Sequence, residues 1–327
     1  MNILITGGCG FIGTNYISKL IQKKTYNILN IDKLNYASNL KAVKLFQKEK
    51  NFKFIKSDIN NSKVLNSIFD KFNPDYLINF AAESHVDNSI SSPYKFLKSN
   101  FIGTFALLEQ TRIYLQKNPK KKFKFHQVST DEVYGDMDKI KFNENSHYRP
   151  SSPYSASKAS ADHLVRSWQR TYGIPIIITC CSNNYGPYQH HEKFIPTIIK
   201  KALKGEPIPI YGDGNQIRDW IYVEDHVEAL IKCINRANIG ETYNIGSNNQ
   251  ITNIKLAKKI CQYLDIIKPL PMKESYCNLI SYVSDRPGHD RRYGINNSKI
   301  CKNFKWNPKY SLDTGIELTV NWYLNNT

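Results

Sequence analysis

Residues 2–13 read NILITGGCGFIG, an apolar run followed at once by a glycine-rich turn. Glycines at positions 7, 10 and 13 permit a tight turn, a close approach of the backbone to a pyrophosphate, and close packing of the following helix. The start of that helix, near Thr14, would offer unpaired N–H groups to an anion. The stretch therefore predicts the strand, loop and helix of a dinucleotide-binding site, with Gly7, Gly10, Phe11, Ile12 and Gly13 in contact with the cofactor.

An acidic residue about twenty positions further on strengthens this interpretation. Asp32 ends the second predicted strand, where a carboxylate would accept a hydrogen bond from a ribose 2′-hydroxyl and repel a 2′-phosphate. NAD is therefore favoured over NADP. Asp58 ends the third predicted strand and Ala81 and Ala82 end the fourth; small residues there would leave room for the cofactor.

Short apolar runs alternate with amphipathic stretches through the first half of the chain, as in a parallel sheet with crossover helices. We predict a doubly wound Rossmann-type α/β fold with a smaller, irregular α/β substrate domain, divided as 1–185 and 186–327, with segments near 215–247 returning to the first part. The predicted strands are 2–6, 27–32, 52–58, 76–82, 124–129 and 174–181. The predicted helices are 12–22, 62–71, 93–116 and 153–172, followed by FIPTIIKKALKG, HVEALIKCINRA and IKLAKKICQYLD.

Composition excludes several classes of protein. The 327 residues are 41% hydrophobic, and no apolar run approaches the ~18 residues of a membrane span, so we expect a cytoplasmic protein. The net charge of +17 raises the question of nucleic-acid binding, but the densest basic run, KNPKKKFK at 117–124, is typical of a solvated loop. The seven cysteines are scattered and no metal-ligand spacing is present, which favours reduced thiols and no metal site.

Two further segments carry candidate chemistry. Tyr154 and Lys158 lie four apart at the start of a predicted helix. An ammonium near a phenol, with the positive nicotinamide ring close by, would favour the phenolate, lower the pKa of the phenol and make it a usable base. Asp131 and Glu132 stand side by side where a predicted strand opens into a loop. Such a pair is ordinarily a solvated turn, but adjacent carboxyls can also divide into one acid and one base.

Longer stretches resemble a known family. The chain is similar to the extended short-chain dehydrogenase/reductases, and within them to the nucleoside-diphosphate-glucose 4,6-dehydratases, especially those specific for dTDP-glucose. The segments that carry the resemblance are TGGCGFIG, NFAAESHVDNSI, VSTDEVYG, PSSPYSASKASADHLV, SNNYGPYQ, EKFIP, PIYGDGNQIRDWIYVEDH and RPGHDRRY. They run almost from end to end.

The resemblance implies a reaction and a role for each residue. Tyr154, assisted by Lys158 and Thr130, would act at the C4 hydroxyl during oxidation by NAD. Glu132 would then remove the C5 proton and Asp131 would protonate the leaving C6 hydroxyl. Reduction at C6 would give the 4-keto-6-deoxy sugar, the first committed step toward rhamnose or other 6-deoxy sugars.

The family pattern also supplies further contacts and alternatives. It implies Ile59 at the cofactor and a nucleotide-sugar pocket of Ser84, His85, Thr130, Asn183, Lys193, Tyr211, Arg218, Asn253, Arg286 and His289. It implies a homodimer formed by a four-helix bundle of helices 93–116 and 153–172. UDP-glucose stays open as the substrate. The competing functions are an NAD-dependent sugar 4-epimerase, which needs no acid/base pair, and a silent NAD-binding or nucleic-acid-binding scaffold.

Overall fold

The computed structural model of the protein describes residues 1–137 and 140–326. Its centre is a seven-stranded sheet built from β1 (Asn2–Thr6), β2 (Asn27–Asp32), β3 (Phe52–Lys56), β4 (Tyr76–Asn79), β5 (Lys124–Thr130), β6 (Ile176–Cys181) and β10 (Thr242–Ile245). The strands lie in the order β10-β6-β5-β4-β1-β2-β3, and every neighbouring pair is parallel. The predicted doubly wound fold is confirmed.

The chain winds outward from β1 in both directions, so neighbouring strands diverge in sequence between β1 and β4. Both faces of the sheet are apolar because helices cover both. The principal helices of this layer are α1 (Phe11–Gln22), α3 (Ser62–Phe72), α6 (Gly103–Lys117), α7 (Pro153–Tyr172), α9 (Val223–Arg236) and α11 (Ser298–Phe304). Helices α1, α9 and α11 pack on one face, and α3, α6 and α7 on the other.

A second region is built on two small sheets. The strands β7 (Asn183–Tyr185), β9 (Ile217–Tyr222) and β11 (Gln250–Thr252) form one, and β8 (Ile208–Tyr211) with β12 (Ile280–Val283) forms the other. Their core is closed by α8 (Phe194–Leu203), α10 (Asn253–Ile267) and α12 (Leu312–Asn326). The domain division at 185/186 stays a prediction; residue 327, its predicted end, lies outside the described residues.

The structure differs from the predicted elements in several places. The predicted helix 93–116 is three segments, α5 (Pro93–Phe96), a π-helical turn (Leu97–Ile102) and α6. The short helices α2 (Leu40–Phe46) and α4 (Val86–Ser91), and the C-terminal α11 and α12, were not predicted, nor was the seventh strand β10. Strand β10 was missed because its four residues carry too little pattern, and only tertiary pairing with β6 makes them a strand.

No helix in the described residues is both long and apolar enough to cross a membrane.

We predict that Gly13→Ala destabilises the fold, because a Cβ at residue 13 would lie 2.6 Å from the Cα of Gly8 and would push α1 off the loop. Overpacking of this kind costs about 1–3 kcal/mol and should lower the melting temperature of the cofactor-free protein by several degrees. Gly10→Ala is the matched control, since residue 10 has a φ of −73° and its nearest atom would be 3.4 Å from the new Cβ. Equal losses in both variants would contradict the packing argument.

Candidate active site

A cleft of about 300 Å³ opens where the strands β1, β2, β4 and β5 end, at the point where the sheet order diverges. In open α/β sheets this edge is the usual place for a ligand. The predicted residues that line the cleft are Gly7, Gly10, Phe11, Ile12, Gly13, Asp32, Asp58, Ile59, Ala81, Ala82, Ser84, Thr130, Asp131, Glu132, Tyr154, Lys158, Asn183 and Lys193. Chain folding thus brings together every predicted cofactor and catalytic residue.

The glycine loop is shaped by its neighbours. Gly7 has a φ of +71°, and a Cβ there would lie 2.5 Å from the backbone nitrogen of Ala81, so only glycine fits between β1 and β4. The buried side chain of Asn30 accepts a hydrogen bond from the Gly8 nitrogen at 3.0 Å and holds the loop to β2. Sequence reasoning missed Asn30 because its hydrogen bond joins two residues that lie 22 positions apart in the chain.

The first turn of α1 is free to receive an anion. Gly10 is the N-terminal cap, and no side chain caps the helix. A Cβ on Gly10 would meet only one atom, the Gly7 oxygen at 3.4 Å. Backbone N–H groups without partners at a helix start, with an open approach, bind phosphate groups. This cradle fits the pyrophosphate of a dinucleotide.

Asp32 is buried beside the loop. Its carboxylate accepts hydrogen bonds from the backbone nitrogens of Cys9 and Leu34, both at 2.9 Å. Burial raises the pKa of Asp32, and these two hydrogen bonds oppose the rise. Each carboxylate oxygen keeps acceptor capacity toward the cleft, as a ribose hydroxyl would require. The residues present therefore fit NAD.

Helix α7 presents Tyr154 and Lys158 at its first turns. The helix begins in a capping box between Ser152 and Ser155 and has Pro153 at its first position, which fixes its start. Lys158 donates from Nζ to the carbonyl of Val128 at 2.7 Å.

Burial raises the pKa of Tyr154 well above its ordinary value, and the charge of Glu132 raises it further. The sequence analysis expects a lowered pKa through Lys158 together with a bound nicotinamide ring, and that expectation stays a prediction. In the structure desolvation of the phenol is the largest influence, and the Lys158 ammonium hydrogen-bonds to the β5 backbone.

The carboxyl pair lies in a 3₁₀ turn that continues β5. Thr130 caps this turn, its hydroxyl accepting from the Glu132 nitrogen at 3.3 Å. Asp131 is 3% exposed, and its Oδ2 has no hydrogen-bond partner among the described residues. The pair is therefore not a solvated turn.

The two carboxyls have different electrostatic surroundings. Burial raises the pKa of Asp131 well above its usual range, and the charges of Glu132 and Asp219 add to the rise. Burial also raises the pKa of Glu132. Three cations oppose that second rise, in decreasing order Arg218, Lys193 and Arg286. The environment thus favours the proton on Asp131 over Glu132, whose charged form the three cations stabilise.

Arg218, the cation with the largest effect on the Glu132 pKa, is held in place by Tyr293 and Asp290. It is 7% exposed, its guanidinium lies 4.2 Å from the ring centre of Tyr293, and it donates to the Asp290 carbonyl at 2.9 Å. Lys193 donates to the Ser84 carbonyl at 2.6 Å, which joins the second region to the loop after β4.

Six residues predicted for the substrate are not part of the cleft lining: His85, Tyr211, Arg218, Asn253, Arg286 and His289. Arg286 pairs with Asp87 at 3.2 Å and lies 5.0 Å from the ring centre of Tyr211. His289 pairs with Asp285 at 2.6 Å. Asn253 starts α10 and bonds through its backbone to Gln216. Their substrate roles stay predictions.

Asn100 is a site residue that the sequence analysis missed. It lies in the π-helical turn, is 1% exposed, and its Oδ1 accepts from the Glu83 nitrogen at 2.8 Å. Its Nδ2 donates to Ser157 at 2.9 Å, one residue before Lys158. The sequence carried no signal that singled it out, because Thr104, Gln110 and Thr111 are also polar residues on the buried side of the same helical segment. Among the described residues no group of three or more His, Cys, Asp or Glu could hold a metal ion.

Comparisons with known proteins agree with this arrangement. A family model described as GDP-mannose 4,6 dehydratase matches residues 4–319. The dTDP-glucose 4,6-dehydratase of Salmonella typhimurium is 49% identical, with 100% of this chain and 94% of the relative aligned.

Solved structures are similar over the whole chain. The dTDP-glucose 4,6-dehydratase of Bacillus anthracis in complex with NAD has a TM-score of 0.86 at 42% identity, covering 100% of this chain and 97% of that one. The Streptomyces venezuelae enzyme with NAD and TYD bound has a TM-score of 0.90 at 35% identity, covering 100% and 98%. The chain therefore belongs to the GDP-mannose 4,6 dehydratase family, alongside the dTDP-glucose 4,6-dehydratases.

Proposed function

We propose that the protein is an NAD-dependent dTDP-glucose 4,6-dehydratase. The observation that carries the proposal is the Asp131–Glu132 pair, with Asp131 buried and Glu132 half-buried, which lines the same cleft as the glycine loop and Tyr154. An NAD-dependent 4-epimerase needs the loop and the tyrosine but has no use for a carboxyl pair. The preference for dTDP-glucose over UDP-glucose is supported by the names of the relatives that align over the full chain.

The residues that would hold NAD are those around the loop. The first turn of α1 would bind the pyrophosphate through the backbone N–H groups of Phe11 and Ile12, and Asp32 would accept a hydrogen bond from the ribose. When bound, NAD supplies the two-electron oxidation of the sugar at C4 and its reversal at C6. Asp58, Ile59, Ala81 and Ala82 line the walls beside it.

The first task of the protein is to remove the proton from the C4 hydroxyl. Tyr154 is the base, with Thr130 beside it to orient the C4 oxygen and Lys158 to favour the phenolate. The raised pKa of Tyr154 makes a cationic neighbour necessary, because an isolated buried phenol would keep its proton at neutral pH.

The second task is the elimination of water across C5 and C6. A ketone at C4 makes the C5 hydrogen acidic, and Glu132 removes it as a carboxylate. Asp131, kept protonated by burial and by Glu132, delivers its proton to the C6 hydroxyl, which leaves as water. When C6 is reduced, the proton held by Glu132 returns to C5, and Asp131 regains a proton from solvent as Tyr154 releases its own. One carboxyl must be charged and the other neutral at the same pH. In this proposal the three cations that oppose the rise in the Glu132 pKa place the charge on Glu132 and leave the proton on Asp131.

The proposed assembly is a homodimer. Helix α6, the preceding π-helical turn and α7 pack side by side and expose apolar side chains, with Leu97 47%, Phe105 41% and Tyr172 51% exposed. A second copy related by a two-fold axis would bury these helices as a four-helix bundle.

We predict that Tyr154→Phe and Glu132→Gln stop the reaction at different steps. Tyr154→Phe should lower the rate of C4 oxidation by about 10²–10⁴-fold, because no base remains for the hydroxyl proton. Glu132→Gln should still show reduction of the nicotinamide in its absorbance, since the first step does not use the carboxylate, but should release no 4-keto-6-deoxy product. Normal product formation by both variants would overturn the assignment of roles.

A better leaving group distinguishes the two carboxyls. The rate of product formation from dTDP-glucose by Asp131→Asn should fall by about 10²–10⁴-fold, because the C6 hydroxyl is then expelled without a proton. With a dTDP-glucose analogue that carries fluoride at C6, the loss should shrink to less than about tenfold, since fluoride leaves unprotonated. Glu132→Gln is the control and should stay inactive with both substrates. If the fluoride analogue restored activity to Glu132→Gln, the two roles would have to be exchanged. If Asp131→Asn stayed as slow with the analogue as with dTDP-glucose, its role as the acid would be refuted.

The dimer is tested by Phe105→Glu, which places a charge on the exposed face of α6. Light scattering should report the mass of one chain instead of two, because burial of an unpaired carboxylate opposes association. Ile266→Glu is the control, since Ile266 is 77% exposed on α10, away from this face, and should leave the dimer intact. A dimeric Phe105→Glu protein would argue for another interface.

A further inference from the structure

Helix α7 carries a series of charges beyond Tyr154. Lys158, Asp162 and Arg166 follow one another at intervals of four residues, so they lie along one face of the helix. That face packs against the sheet: Lys158 is 4% exposed and Asp162 is fully buried. A cation, an anion and a second cation therefore follow one another along the sheet-facing side of α7, from the site toward the C-terminal end of the helix.

Asp162 is held in place by two hydroxyl groups. Its Oδ2 accepts from the Ser129 hydroxyl at 2.6 Å and from the Tyr148 hydroxyl at 3.0 Å. Its Oδ1 is buried and has no hydrogen-bond partner among the described residues. Hydrogen bonds at one oxygen alone do not replace the hydration of a carboxylate, so an ionised Asp162 depends on nearby cations.

Lys158 has the complementary requirement. Burial lowers the pKa of Lys158, and the charge of Asp162 is the largest influence that opposes this. The other titratable groups that face Lys158 are the thiols of Cys180 and Cys181 on β6. Burial raises the pKa of Cys180 to about 12 and also raises that of Cys181, so both thiols are neutral at physiological pH. They supply no counter-charge.

Arg166 completes the series on the other side. Its Nη2 donates to the Tyr148 hydroxyl at 2.9 Å and to Thr242 at 3.2 Å, and its guanidinium lies 5.0 Å from the Tyr148 ring centre. Burial raises the pKa of Asp162, while Lys158, the Ser129 hydrogen bond and Arg166 lower it. Tyr148 thus connects the guanidinium to the carboxylate. Asp162 faces cations from both sides.

We propose that Asp162 is a positioning residue for the proposed reaction: its buried carboxylate keeps the Lys158 ammonium charged next to Tyr154. The inference rests on the proposed function, because it gives Lys158 its task of favouring the phenolate. Asp162 itself touches neither sugar nor cofactor and is not part of the cleft lining. It acts through Lys158, with Ser129 and Tyr148 holding its orientation.

The test is Asp162→Asn, which keeps the shape and an acceptor oxygen but removes the charge. The rate of nicotinamide reduction by dTDP-glucose is measured in the holoenzyme as a function of pH. Without the carboxylate, Lys158 loses its proton at lower pH, so the alkaline limb of the profile should move down by about one pH unit or more. Tyr148→Phe is the control, because it removes a hydrogen bond to Asp162 but not the charge, and its alkaline limb should stay in place.

A second measurement reports Lys158 directly. In protein labelled with ¹³C at lysine Cε, the Lys158 resonance, assigned by its loss in Lys158→Met, should titrate at lower pH in Asp162→Asn than in the parent. A uniform loss of rate at every pH, with an unshifted limb and resonance, would make Asp162 structural and overturn the inference. If the parent itself converts no nucleotide sugar, the proposed function fails instead, and the resonance alone still decides whether Asp162 acts on Lys158.

Discussion

Desolvation of charge at the end of β5 is the constraint on which the site depends. Asp131, Lys158 and Asp162 are buried, and a lone buried ion costs several kcal/mol. The fold meets this cost by alternating signs: Arg218 faces the carboxyl pair, and Lys158 faces Asp162. Where the balance is incomplete, as at Asp131, burial raises the pKa of the carboxyl well above its usual range, which is the direction that its proposed role as general acid requires.

The sheet topology determines which loops and side chains lie together in the cleft. Because β4 and β5 lie next to each other in parallel, the loop that follows β4 and the carboxyl turn that follows β5 end at one edge. The π-helical turn joins the loop after β4 to α7, since Asn100 bonds to the backbone of Glu83 and to Ser157 on α7. Rigid elements and not long loops hold the reactive groups, which suits a reaction with several steps on one sugar.

Local signals carried most of what could be predicted. The glycine loop, Asp32 and the Tyr154–Lys158 spacing are short patterns whose physical meaning is independent of the rest of the chain, and all of them line the cleft. The carboxyl pair needed the family resemblance, because two adjacent acids ordinarily indicate a solvated turn. Asn100 and Asp162 were missed because burial and partners distant in sequence determine their roles.

The late arrival of β10 has a consequence for synthesis of the chain. Strand β6 ends at Cys181, but its outer partner begins only at Thr242, after the small sheets have been started. As the polypeptide leaves the ribosome, the backbone groups along that edge of β6 have no partner and could pair with another nascent chain. The edge of β6 therefore stays unpaired until residues 242–245 have been synthesised.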